Sequence, residues 1–169
     1  MRNTGKYIIT ALLLILAQGA LDNYINLSVY LDIQLCIFII LMLPYGMGTI
    51  PAMLTAFVVG LVSDFLGNSI PGMSAAAFTA AALCRRSMLM LTAGKETTAK
   101  DSRQSISSIG TRRFFLYSLP LLIISLTVYI LIDSSGFSPL GLCITRLAVS
   151  TAVNAAIMFL LYLITADRR

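Results

Sequence analysis

Apolar residues run almost unbroken from Tyr7 to Thr165, and one stretch alone, Thr92 to Thr111, is polar for long enough to form a substantial loop. Such a chain has no alternating polar surface to present to water, so its surroundings are lipid. The 58% hydrophobic and 11% charged content of the 169 residues and a mean hydropathy of +0.90 exclude an ordinary soluble domain. At about 20 residues per spanning helix, the length accommodates about six spans and the loop, and leaves no room for a separate soluble catalytic domain.

The expected architecture is therefore an all-α integral membrane protein, a single domain over residues 1–169, with spans at about 7–21, 27–43, 50–66, 71–91, 114–132 and 137–165 and a cytoplasmic loop at 92–112. The breaks are Asp22-Asn23-Tyr24, Pro44-Tyr45-Gly46-Met47-Gly48, Gly67-Asn68-Ser69-Ile70 and Asp133-Ser134-Ser135-Gly136, where polar and helix-breaking residues collect. The second segment is short and carries Asp32 and Gln34 near its start. It is expected either to span with a distorted end or to enter and leave on a protein-lined path. Pro51 suits the first turn of the third segment. Ala75-Ala76-Ala77 and Ala80-Ala81-Ala82 give the fourth a small-residue face, expected to set internal packing, with a partner helix as the alternative.

Arg2 and Lys6 precede the first apolar run, and Ala17-Gln18-Gly19 loosely resembles a cleavage site. The run is long for a secretory signal and glycine fits its last position less well than alanine, so retention as the first helix is expected. With that end inside, Arg2, Lys6, Arg85, Arg86, Lys95, Lys100, Arg103, Arg112, Arg113, Arg168 and Arg169 all fall on the cytoplasmic side, and Arg146 alone is left over. Both termini are therefore expected in the cytoplasm. Topology accounts for the net charge of +5, so no nucleic-acid partner is inferred.

The chain has no histidine, which removes histidine-assisted nucleophiles and histidine metal sites together. Cys36, Cys84 and Cys143 stand singly in apolar segments without a Cys-x-x-Cys pair, the pattern of small packing residues rather than of a metal, redox or cofactor site. The remaining catalytic route is an aspartate dyad of Asp32 and Asp64 sharing a proton. Against it, Val62-Ser63 stands before Asp64 where intramembrane aspartyl proteases carry Gly-x-Gly. No catalytic residue is assigned.

A carboxylate near the end of an apolar run is costly and faces protein, water or a partner. In the six-span topology Asp32 and Asp64 lie near the outer leaflet, and Arg146 lies roughly 13 Å deep at 1.5 Å per residue from the same side. An intramembrane ion pair of Arg146 with Asp64 or Asp32 would lower the cost of each charge; the alternative places the aspartates in the headgroup layer with Arg146 snorkelling. Arg85, Arg86, Arg112 and Arg113 flank the loop as doublets. They read as topology anchors that attract anionic lipid, or as a docking surface for a cytoplasmic partner.

The six segments, the aspartate near the start of the second, and Gly60-Leu61-Val62-Ser63-Asp64-Phe65-Leu66 followed by a turn and Pro71-Gly72 resemble the rod shape-determining MreD family. The Gly-Leu-x-x-Asp core carries the likeness, over roughly residues 50 to 85. The motif positions here are Gly60, Asp64, Gly67, Pro71 and Gly72; Asp32 matches loosely and Arg146 has no counterpart. The resemblance implies a fold like the S components of energy-coupling factor transporters. It also implies a non-enzymatic, cofactor-free subunit of the bacterial cell-elongation machinery in the inner membrane, with MreC, RodA, MreB and an elongation-specific penicillin-binding protein as partners. Two other expectations compete with it: an S-component-like binder of a small solute, docking through Ala75–Ala82, and an aspartate-dependent membrane peptidase.

Overall fold

The computed structural model describes residues 2–24, 31–44, 46–67, 70–93, 111–134 and 140–167. Among them the chain is entirely helical apart from turns and irregular connections, with six helices: α1 (Arg2–Tyr24), α2 (Ile37–Leu41), α3 (Thr49–Leu66), α4 (Met73–Ala93), α5 (Thr111–Asp133) and α6 (Leu140–Asp167). The polar loop expected at 92–112 lies largely outside the described residues.

Three stretches, Thr49–Leu66, Thr111–Asp133 and Gly141–Ile164, are long and apolar enough to cross a membrane, and Ile8–Asn23 of α1 is a shorter apolar helix. α4 is of comparable length at 21 residues and carries Arg85 and Arg86. The second apolar run is the least helical among the described residues. It is helical over Ile37–Leu41 alone, about 7.5 Å of rise against a hydrocarbon core of about 30 Å. Leu31 to Gln34 approach it without helical structure, and residues 27–30 lie outside the described set.

This short helix forms the centre of the protein. Ile37, Phe38, Ile40 and Leu41 are all buried, within one apolar cluster that includes Phe78 of α4 and Phe114, Tyr117, Leu121, Leu122 and Leu126 of α5. Broken backbone at membrane depth is tolerated where protein surrounds it, and α2 meets that condition by packing against α3, α4 and α5.

α3 and α4 form a close antiparallel pair. Ala52, Ala56, Gly60 and Ser63 place a row of small side chains on the buried face of α3, and Ala75, Ala77, Ala81 and Ala82 are buried on α4. Small faces let two backbones approach. At Gly60 the approach is closest: a Cβ there would lie 2.6 Å from the Ala75 nitrogen and 2.8 Å from the Ser74 carbonyl carbon. The alanine face of α4 thus serves packing within the chain and is not left open for a partner helix. Pro51 stands in the first turn of α3, where its missing N–H removes no helical bond. Pro120 stands inside α5, so the carbonyl one turn earlier, at Leu116, loses its usual amide partner.

At the opposite end from the α3–α4 turn, Phe114 of α5 stacks on Tyr162 of α6 at 4.4 Å, and Phe115 lies 5.4 Å from Phe159. These ring contacts hold the start of α5 to the end of α6.

Candidate functional site

The polar residues gather at two levels of the bundle. At the first, the carboxylate of Asp64 reaches from the last turn of α3 to the start of α4. Oδ2 accepts from the Gly72 amide at 2.8 Å and, more weakly, from Ala75 at 3.4 Å; Oδ1 accepts from Ser74 at 3.1 Å. The first amides of a helix have no partners within it, and an aspartate is among the best groups to satisfy them. Gly72 has φ of 104°, a backbone conformation open to glycine at little cost. Asp64 is thus a long-range N-cap that fixes the turn between two helices. It is 1% exposed, which a carboxylate tolerates because its oxygens are hydrogen-bonded.

Asp22 lies against Gly67, which follows α3, and Asn23 donates to the Leu66 carbonyl at 2.7 Å. The end of α1 is thereby tied to the end of α3. The motif positions Gly60, Asp64, Gly67 and Gly72 therefore share one joint, with Pro71 exposed in its turn.

Beside this joint runs the non-helical segment 31–35, whose backbone groups cannot bond to one another as a helix does. Side chains from two helices replace those bonds. From α6, Ser150 Oγ accepts from the Asp32 amide at 2.9 Å, Asn154 Oδ1 accepts from the Gln34 amide at 2.8 Å, and Asn154 Nδ2 donates to the Asp32 carbonyl at 2.6 Å. From α1, Gln18 Nε2 donates to the Ile33 carbonyl at 2.7 Å and Gln18 Oε1 accepts from the Leu35 amide at 2.7 Å. Three side chains thus satisfy five backbone groups, the condition for keeping unwound chain inside a bundle.

Arg146 completes this level. Its Nε and Nη2 donate to the two oxygens of Asp32 at 2.6 and 2.7 Å, and Nη1 donates to Asp133 at the end of α5. The Arg146 and Asp32 side chains are 16% and 14% exposed, so the two-pronged geometry forms largely out of solvent, where it is strongest. Of the two aspartates expected as partners for Arg146, the structure brings Asp32 to it. Asp64 bonds to amides instead, so the two carboxylates do not form a shared dyad.

Gln34 projects its own side chain into the core, where Oε1 accepts from Ser125 at 2.7 Å. Its Nε2 is the one buried side-chain donor left without a partner among the described residues.

At the second level sits Arg85, 2% exposed. Nε donates to Tyr117 Oη at 3.1 Å, and Nη2 donates to the carbonyls of Leu43 and, at 3.2 Å, Pro44. It therefore ties α4 and α5 to the chain just past α2, whose C-terminal end attracts positive charge. The arginine doublets expected to act together are divided. Arg85 is a buried brace, whereas Arg86, Arg112 and Arg113 are exposed.

Sequence reasoning missed Gln18, Asp133, Ser125, Ser150, Asn154 and Tyr117. One signal was present: Arg146, Ser150 and Asn154 recur every four residues, which puts them on one face of an apolar helix. Gln18 and Asp22 have the same spacing, and Gln18 Nε2 donates to Asp22 Oδ1 at 2.9 Å. Cys36, Cys84 and Cys143 are free thiols, and the described residues contain no group of three or more metal-ligating side chains. No protein-family model, curated protein or solved structure matches the chain.

Proposed function

We propose that this chain is an MreD-like, non-enzymatic subunit of the bacterial cell-elongation complex, held in the inner membrane by six passes with both termini in the cytoplasm. It acts by assembling with MreC and other proteins of that complex, RodA, MreB and an elongation-specific penicillin-binding protein. The observation that carries the reading is the use of Asp64. The motif carboxylate accepts from the Gly72 and Ser74 amides, beside the close approach at Gly60, so the motif builds a buried helix joint, a structural use that supports a scaffold role. The buried, side-chain-braced break between α1 and α3 is of the discontinuous kind found in many transporters and is compatible with the S-component-like fold.

One observation favours a second reading, an S-component-like binder of a small solute: Gln34 Nε2 is a buried donor without a partner among the described residues, beside unwound backbone. Affinity purification in mild detergent with identification of whatever co-purifies separates the two. Recovery of MreC supports the elongation-complex reading. Recovery of a stoichiometric small solute with no MreC overturns it.

A further inference from the structure

The charges on the described residues are largely segregated along the bundle, with Asp167 at the end of α6 the one acidic residue toward the basic end. Asp22, Asp32, Asp64 and Asp133 sit with Arg146 at the level of the α3–α4 turn. Arg85, Arg86, Arg112 and Arg113 sit toward the other end, where α4 finishes and α5 begins. The bond from Arg85 to Tyr117 sets the register there. Arg86 is the next residue toward that end on α4, and Arg113 is one turn beyond Tyr117 on α5. Arg86, Arg112 and Arg113 are exposed, and none of them takes part in an ion pair among the described residues.

We propose that Arg86, Arg112 and Arg113 form a site for the phosphate of an anionic phospholipid headgroup. Guanidinium groups match phosphate oxygens with paired donors, and three of them on two packed helices place several donors at one end of the bundle. The apolar surroundings choose lipid over free phosphate. Leu83, about one turn before Arg86 on α4, and Leu116, one turn after Arg112 on α5, are 54% and 56% exposed. Each therefore lies deeper toward the bundle centre than its arginine, so a bound phosphate continues into an acyl chain along these leucines. A free anion would leave that surface unused. Arg85 takes no part, because its guanidinium is committed to Tyr117 and to the Leu43 and Pro44 carbonyls. This inference rests on exposure and charge and is independent of the proposed place in the elongation complex.

The test is native mass spectrometry of the full chain in mixed micelles of phosphatidylglycerol and phosphatidylcholine. The wild type is expected to retain phosphatidylglycerol in preference to phosphatidylcholine. The preference should fall about fivefold for each of Arg86→Gln, Arg112→Gln and Arg113→Gln, the contribution of about 1 kcal/mol made by one cationic side chain near an anionic surface. The corresponding lysine variants keep the charge but not the paired donors and should retain part of it. Equal retention of both lipids by the wild type overturns the proposal, as does an unchanged preference in glutamine variants with wild-type helicity. So does displacement of the lipid by millimolar inorganic phosphate, which marks a free-anion site, or loss of a co-purifying protein from the variants with lipid preference intact, which marks a protein-docking surface.

Discussion

Arg146 and Asp32, 114 residues apart, meet in a two-pronged ion pair with both contacts under 2.8 Å. The pair anchors unwound chain to α6, and Asp133 adds the end of α5 to the same guanidinium. Removing one member of a buried pair leaves the other uncompensated, at about 3–5 kcal/mol. Arg146→Ala should therefore lower the thermal midpoint in detergent strongly. Asp32→Ala in the same chain should recover part of that loss, whereas Asp64→Ala should add to it. The double-mutant cycle tests the pairing directly, and strictly additive losses for Arg146 and Asp32 would refute it.

Asp64→Ala should destabilise by about 1–3 kcal/mol, because it strips a cap and leaves buried amides without acceptors. Asp64→Asn keeps one carbonyl oxygen and should lose less. Chemical denaturation in mixed micelles ranks the two variants. Equal stability of Asp64→Ala and the wild type would remove Asp64 from the joint.

Gly60→Ala should cost about 1–3 kcal/mol by overpacking, since the new methyl meets backbone of α4 rather than a flexible side chain. Gly72→Ala should cost about 1–2 kcal/mol for a different reason, the positive φ at that position. The first variant should force α3 and α4 apart and the second should not. Disulfide crosslinking between cysteines introduced across the two helices distinguishes them.

Asn154→Leu nearly preserves side-chain volume but deprives the Gln34 amide and the Asp32 carbonyl of their partners. Each buried group so stranded costs about 1–3 kcal/mol. Loss of hydrogen-exchange protection should then centre on residues 31–36, with α3 and α4 spared. Uniform loss throughout the chain would show that the unwound segment is not a separate cooperative unit.

Tyr117→Phe removes only the acceptor of Arg85 Nε, and should cost about 1.5–3 kcal/mol, the range for a hydrogen bond to a charged group. Arg85→Leu should cost more, since the Leu43 and Pro44 carbonyls also lose their donor. The order of the two thermal midpoints checks the brace; reversal would place the importance of Tyr117 in its ring packing.

Hydropathy and punctuation determined much of this protein. The long apolar runs at α3, α5 and α6 declare themselves as helices, and the Pro44 to Gly48 break and the glycine turn before α4 lie where helices stop. These are local properties, because helix formation and transfer into lipid act on consecutive residues. The cost of a lone charge in an apolar run also singles out Asp32, Asp64 and Arg146.

The tertiary structure alone decided what those charges do. Which carboxylate meets Arg146 depends on how α6 faces the second segment, and that is a matter of approach across more than a hundred residues. The same holds for the unwound chain at 31–35: Asp32 and Gln34 mark it as polar in the sequence, but Gln18, Ser150 and Asn154 offer its backbone partners that only a neighbouring helix can supply. Arg85 and Arg86 are adjacent in sequence and alike in chemistry, and the register of α4 buries one and exposes the other.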